Sequence, residues 1–176
     1  MHAFSDPLVM AGNGTIGLEV LEDLPDCDAI VIPWGGGGLA CGIAAAVRAR
    51  APRVRIFAAE VETAAPFSAS LRAGTPTPVD YRASFVDGIG APRVYPEMFE
   101  LVAKLLDGAL VSSLSEIAAA VRLIAERTHT IAEGAGAAAL AATMAGRAGP
   151  GRVVCIVSGG NIDGHKVAKI LEGEVP

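Results

Sequence analysis

The sequence predicts an α/β fold in which a parallel sheet carries helices on both of its faces. Short, continuously apolar runs that suit buried strands alternate along the chain with longer segments of helical spacing. Two glycine-rich turns, residues 35–38 and 158–161, each follow one of these apolar runs. Because ligands of such sheets bind at the carboxyl ends of the strands, the two turns mark the predicted site.

The first predicted elements each have a local signal. Asp6 followed by Pro7 forms an N-cap with proline at the first helical position, and apolar residues recur at helical spacing to residue 23. The predicted strands of this part are continuously apolar, as burial on both faces requires. They cover residues 29–33 and 54–59, with a helix between them at residues 39–51.

The second part of the chain continues this alternation. Ser113 and Glu116 have the spacing of a capping box, which predicts a helix from there to about residue 128. Pro66 begins a short helix that ends near Gly74, and the stretch after it is irregular to residue 96. The other predicted helices cover residues 97–106, 134–146 and 163–172. The other predicted strands cover residues 110–111 and 152–157.

Size and composition fit a single domain that comprises residues 1–176. Of these residues 52% are hydrophobic and the mean hydropathy is +0.47, which is more apolar than an average globular domain. Two interpretations are open: an alanine-rich α/β protein, or a protein whose apolar surface faces another domain or subunit. Under the second, we expect a homo-oligomer or a chain that lacks its N-terminal part.

Charge and cysteine content exclude several functional classes. The net charge is −5 and the chain has no long run of Lys or Arg, so nucleic-acid binding is not expected. Three cysteines without a C-x-x-C pair indicate free thiols in a reducing compartment. The N-terminus does not resemble a signal peptide, and the longest small-residue stretch, residues 134–146, is too short to cross a bilayer. We therefore expect a soluble, cytoplasmic protein without membrane contact.

The first glycine turn predicts an anion site. Four consecutive glycines before a helix leave several backbone N–H groups free to converge on a phosphate. Gly35, Gly37 and Ala40 also fit the G-x-G-x-x-A pattern of a Rossmann dinucleotide site, with Glu60 where the ribose acid would stand. The second glycine turn argues against that alternative, because a Rossmann domain has no use for it at a distant strand end. Ser158 does not lie in a G-x-S-x-G nucleophile motif.

An ordered set of motifs carries a resemblance to one enzyme family. Residues 2–7 (HAFSDP) resemble H-P-F-D-D-P, residues 11–19 (AGNGTIGLE) resemble A-G-Q-G-T-I-G-x-E, and residues 33–42 (PWGGGGLACG) resemble P-x-G-G-G-G-L-x-x-G. These are followed by Ala59-Glu60, Asp87-Gly88, residues 133–136 (EGAG) and residues 157–161 (VSGGN). From residue 2 to about residue 171, the chain resembles the C-terminal part of fold-type-II pyridoxal-phosphate enzymes of the threonine/serine dehydratase and serine racemase group.

The resemblance implies the large-domain part of the tryptophan synthase β-like fold and a pyridoxal 5'-phosphate cofactor. Ser158 would hydrogen-bond the pyridine nitrogen, and because a hydroxyl cannot protonate the ring, the ring would be a weaker electron sink that suits β-elimination. Gly88 would lie near the ring. Glu133 would order the pocket, although capping of the following helix is an equal alternative. The backbone N–H groups that would hold the phosphate are those of Gly35, Gly36, Gly37, Gly38 and Leu39.

Some members of this family also bind a divalent cation. Glu60 and the carbonyl group of Ala64 match two of its protein ligands, but Pro66 stands where the third ligand is an aspartate. Hard cations need several oxygen ligands, so this sequence argues against a cation here. Glu60 is then an ordinary residue at the end of a strand.

The family's catalytic lysine has no counterpart in the chain. That lysine forms the Schiff base and moves the α-proton, and it lies in an S-x-K-x-R-G-like segment that this sequence lacks. The lysines that are present, Lys104, Lys166 and Lys169, lie in predicted helical runs. We therefore expect a truncated threonine/serine ammonia-lyase that is inactive alone, with a half of a split enzyme and a non-catalytic cofactor-binding protein as alternatives.

In the parent enzyme, a small hydroxy-amino acid, L-threonine or L-serine, would lose its α-proton and its β-hydroxyl group as water, and hydrolysis of the resulting enamine would give a 2-oxo acid and ammonia. Racemisation is the nearest alternative outcome.

Overall fold

The computed structural model describes residues 5–176, so the first motif of the resemblance lies partly outside the described residues. The chain forms a parallel sheet of four strands, in the order β3-β2-β1-β4. The strands are β1 (Ala29–Pro33), β2 (Arg55–Val61), β3 (Gly108–Ser112) and β4 (Val153–Cys155). The helices are α1 (Pro7–Asp23), α2 (Gly38–Arg50), α3 (Pro66–Ala73), α4 (Pro96–Val102), α5 (Leu114–Thr128), α6 (Gly134–Met144) and α7 (Gly164–Leu171).

Helices cover both faces of this sheet, which confirms the predicted fold class. Alternate residues of a strand point to opposite faces. Ile30 and Ile56 pack with α1, α2 and α4 on one face, whereas Val31 and Val61 pack with α5, α6 and α7 on the other. All five residues of β1 are buried, as its continuous apolar run predicted.

Two of the predicted helix starts are visible as hydrogen bonds. The Asp6 carboxylate accepts from the Leu8 N–H at 2.9 Å, with Pro7 as the first residue of α1. The Ser113 hydroxyl accepts from the Glu116 N–H at 3.2 Å, and the Glu116 carboxylate accepts from the Ser113 N–H at 2.8 Å. This pair is the predicted capping box, and it stabilises the first turn of α5.

Some element ends differ from the prediction because tertiary pairing decides them. The helix predicted for residues 97–106 ends at Val102, since the chain must turn to bring Asp107 alongside β2. There the Asp107 carboxylate accepts from the Ile56 N–H at 2.6 Å, and β3 begins at the next residue. β2 extends to Val61, two residues further than predicted, because it pairs with β3 along its whole second half. β4 is shorter than the predicted strand at residues 152–157, since its pairing partner is β1 alone.

Within residues 5–176, none of the helices combines the length and the apolar character that a bilayer crossing requires.

Candidate functional site

The order of the strands creates one crevice at the carboxyl edge of the sheet. From β1 the chain proceeds through β2 to β3 on one side, and it then returns to place β4 on the other side of β1. Ligands of open α/β sheets bind at such a reversal of strand order. The first glycine turn follows β1 and the second follows β4, so the topology brings the two turns to the same place.

A cavity of about 270 Å³ lies between these turns. Its lining includes all eight residues that the sequence assigned to cofactor binding, namely Gly35, Gly36, Gly37, Gly38, Leu39, Gly88, Glu133 and Ser158. These positions come from four separate parts of the chain: residues 35–39, Gly88, Glu133 and Ser158. Their convergence is a fact of the fold, whereas their individual roles stay predictions.

The glycine turn presents a cradle of backbone N–H groups. Gly37 is the N-cap of α2 with φ +93°, and it carries no side chain that could cap the helix. Within the described part of the chain, the backbone N–H groups of residues 35–39 donate no hydrogen bond. Unpaired N–H groups at the N-terminus of a helix attract an anion, both directly and through the helix dipole. The turn is therefore built to hold a phosphate or a carboxylate.

Trp34, the only tryptophan of the chain, lies directly under this cradle. A Cβ atom on Gly37 would come 2.7 Å from Cη2 of the Trp34 ring. The ring is buried and stacks on Phe67 of α3 with a centroid separation of 4.2 Å and an interplanar angle of 18°. The Trp34 Nε1 atom has no hydrogen-bond partner among the described residues, so packing alone holds this ring in place.

Small residues allow the backbones around the cavity to approach closely. A Cβ atom on Gly88 would lie 2.8 Å from that of Ala135, and one on Gly35 would lie 3.1 Å from the Gly88 carbonyl oxygen. Ser158 is exposed and lines the cavity, and its hydroxyl makes no hydrogen bond to the described residues. The hydroxyl is free to bind a ligand.

Glu133 brings a carboxylate to the cavity. It is the N-cap residue of α6, but its side chain makes no capping hydrogen bond. The Glu133 side chain lies between the backbones at Gly88 and Gly159. A Cβ atom on Gly88 would come 3.8 Å from the Glu133 Oε1 atom, and one on Gly159 would come 2.5 Å from it. Burial raises the pKa of Glu133, and the nearby charge of Asp87 raises it further. The absent cap bond leaves the carboxylate available to the cavity.

Asn13 of α1 also lines the cavity, although it is not among the eight predicted cofactor residues. Its position was visible in the AGNGTIGLE motif, where asparagine replaces the glutamine of the family pattern. The signal in the sequence for a site role of Asn13 is therefore its polar side chain within this motif.

The candidate cation residues lie away from this cavity, and they do not fit a divalent cation. Glu60 is 1% exposed, and its two carboxylate oxygens accept from the N–H groups of Phe67 at 2.8 Å and Ser68 at 2.7 Å. Pro66, at the position of the third ligand, begins α3 and supplies no side-chain oxygen. Among residues 5–176, no group of three or more His, Cys, Asp or Glu side chains could hold a metal ion. Glu60 also does not line the cavity, as the ribose-binding acid of a dinucleotide site would.

None of the three lysines lines the cavity. Lys104 follows α4 on the surface, and Lys169 is exposed on α7. Lys166 forms an ion pair with Asp163 at 2.9 Å. The described residues therefore place no lysine amine where a ligand in the cavity would react.

The chain is similar in sequence to known proteins. A family model described as "Pyridoxal-phosphate dependent enzyme" matches residues 1–159. The L-threonine ammonia-lyase of Geobacter sulfurreducens is 42% identical over 174 residues, which are 98% of this chain and 43% of that protein. The chain thus spans about half the length of the curated relatives that it matches.

Solved structures agree with the family match. The processed form of threonine deaminase isoform 2 from Solanum lycopersicum has a TM-score of 0.89 and 32% identity, over 98% of this chain and 52% of that chain. Maize serine racemase has a TM-score of 0.87 and 30% identity, over 97% of this chain and 56% of that chain. The match of the family model to most of the chain and the shared fold lead to one conclusion: this chain belongs to the family of pyridoxal-phosphate dependent enzymes.

Proposed function

We propose that the cavity binds pyridoxal 5'-phosphate and that the chain is the cofactor-holding part of an enzyme that deaminates L-threonine or L-serine. One observation carries the proposal: the eight residues that the family resemblance assigned to the cofactor line a single cavity at the strand reversal. The name of the Geobacter relative supports the substrate class.

The residues of the cavity fit this cofactor. The phosphate dianion matches the unpaired N–H groups of residues 35–39 and the N-terminus of α2. A flat ring needs space that no side chain fills, and Gly35 and Gly88 line the cavity without side chains. The Ser158 hydroxyl is free to meet a ring nitrogen.

Each group of the chain then has a defined task. When bound, the cofactor supplies an electron sink for the carbon that loses a proton. The glycine turn fixes the phosphate, and Ser158 orients the ring through a hydrogen bond without protonating it, because a serine hydroxyl is a very weak acid. No lysine of residues 5–176 lines the cavity, so the described part of the chain places no lysine where it could take the α-proton.

A racemase is the second candidate. Maize serine racemase shares the fold at 30% identity, and the residues of the cavity do not separate the two reactions. Both begin with loss of the α-proton, and they differ in whether the β-hydroxyl group then leaves.

We also propose that the protein is cytoplasmic and forms a homo-oligomer. Its cysteines are free, as a reducing compartment favours. Several large apolar side chains are exposed, with Leu8 79% and Met144 53% accessible, and they would be covered in an assembly.

Ammonia release tests the function. The protein purified from its source cells is given L-threonine and L-serine, and ammonia, 2-oxo acid and D-serine are measured. We expect ammonia and a 2-oxo acid in equal amounts from the source protein, and none from the isolated 176-residue chain with added cofactor. D-serine without ammonia would favour the racemase. Turnover by the isolated chain would contradict the inference that none of its lysines transfers the α-proton.

A further inference from the structure

Glu60 is a buried carboxylate that the proposed function does not use. It lies in β2, is 1% exposed, and makes its hydrogen bonds with the first turn of α3. The residue at the N-cap position of that helix, Ala65, has no side-chain oxygen with which to cap it. Glu60 therefore caps α3 from a neighbouring strand, with one carboxylate oxygen on the Phe67 N–H and the other on the Ser68 N–H.

The N-terminus of α3 offers positive partial charge to the Glu60 carboxylate. A helix N-terminus carries a partial positive charge and unpaired N–H groups, and two of these N–H groups donate to the two oxygens of Glu60. Proline favours the first position of a helix, so Pro66 both removes an oxygen ligand and helps α3 begin there. Pro66 therefore both argues against a cation and favours the helix N-terminus that binds Glu60 instead.

This cap is connected to the glycine turn through aromatic rings. Phe67, whose N–H binds Glu60, stacks on Trp34 at 4.2 Å. The Trp34 ring in turn fills the space beneath Gly37, the N-cap of α2. A shift of the first turn of α3 would move Phe67, and with it the ring that supports the turn.

We propose that Glu60 is a positioning residue for the glycine turn, and that the N-terminus of α3 holds its carboxylate in place of a divalent cation. The ligand of that turn is the cofactor phosphate, so this part of the inference rests on the proposed function. The effect of Glu60 on the position of Trp34 does not depend on the proposed function.

The chain offers a matched control variant. Glu62 lies two residues after Glu60, just beyond the end of β2. Its carboxylate accepts from the N–H group of Leu114, the first residue of α5, at 2.9 Å. Helix α5 packs on the other face of the sheet from Trp34. Glu62→Gln therefore weakens a comparable cap without a path to the glycine turn.

The test compares Glu60→Gln, Glu62→Gln and wild type at pH 8. Glutamine keeps one acceptor and places an NH₂ group against the second N–H group, so the cap is disrupted with little change in volume. The readouts are the emission maximum and acrylamide quenching of Trp34, and the affinity for pyridoxine 5'-phosphate, which has no aldehyde to react with surface lysines. Chemical denaturation shows that each variant is folded.

We expect Glu60→Gln to shift the Trp34 emission to the red, to increase quenching, and to weaken binding of pyridoxine 5'-phosphate by about tenfold, or 1.4 kcal/mol. Glu62→Gln should leave all three unchanged. A folded Glu60→Gln variant with wild-type emission would overturn the inference. If no variant binds the phosphate compound but Glu60→Gln still shifts the emission, the positioning of Trp34 stands and the proposed cofactor site fails.

Divalent cations test the second half of the proposal. We expect millimolar Mg²⁺, Ca²⁺ or Mn²⁺ to change neither the Trp34 emission nor the melting temperature of the wild type, relative to Na⁺ at equal ionic strength. A cation-specific rise in melting temperature that disappears in Glu60→Gln would show that Glu60 holds a cation, and it would overturn the proposal.

Discussion

We expect the replacement of Gly37 with alanine to weaken phosphate binding at the glycine turn. Gly37 has φ +93°, where an L side chain costs about 1–2 kcal/mol, and the added Cβ atom would lie 2.7 Å from Cη2 of Trp34. The Trp34 ring is held from below by Phe67, so the backbone of the turn must move instead. We expect the affinity for pyridoxine 5'-phosphate, measured by Trp34 fluorescence, to fall at least about tenfold.

Gly74→Ala is the control for this variant. Gly74 also has a positive φ of +70°, but a Cβ atom there would meet nothing within 4 Å. Both variants should lose stability through backbone strain, whereas only Gly37→Ala should lose phosphate binding. Equal affinities in the two variants would show that the conformation of the turn does not determine binding.

Stability should fall as the pH rises through neutrality because of Glu60. Burial raises the pKa of Glu60 from 4.5 to about 7, although the N–H groups of Phe67 and Ser68 and the charge of Arg72 oppose the rise. The folded protein thus binds a proton that the unfolded chain has released between these two pH values. The stabilisation by this proton is complete below pH 4.5 and is lost as the pH rises through about 7.

A rise of this size corresponds to about 3 kcal/mol of unfolding free energy. Because other groups also titrate, the quantity to measure is the difference between wild type and Glu60→Gln, by urea denaturation at pH 5 and pH 8. We expect the advantage of the wild type to shrink by about 3 kcal/mol over this range. A constant difference for Glu60→Gln would mean that the buried carboxylate is not protonated near neutrality.

The sequence predicted the alternation of elements well because it depends on local patterns, whereas the family resemblance supplied the residues that line the cavity. The apolar run of β1, the capping box of Ser113 and the two glycine turns each depend on a few neighbouring residues. The topology of a parallel sheet then brings strand ends together, so residues as distant as Gly35 and Ser158 could be assigned to one site.

The parts that the sequence did not reveal depend on contacts between distant elements. Glu60 was interpreted as an ordinary strand-end residue, and its role as the cap of α3 emerges only when β2 and α3 are packed together. The stacking of Trp34 on Phe67 likewise joins two elements whose relative position has no local signal. The end of α4 at Val102 follows from the pairing of Asp107 with β2, which overrides a helical pattern that continues to residue 106.

A paired titration tests whether this chain holds the cofactor by its phosphate. Wild-type chain is titrated with pyridoxine 5'-phosphate and with pyridoxine, and Trp34 fluorescence is followed. The two compounds differ only in the phosphate group. We expect a saturable change with the phosphorylated compound, suppressed by inorganic phosphate, and little change with the other. Equal responses to both compounds, or none to either, would contradict a phosphate site at the glycine turn.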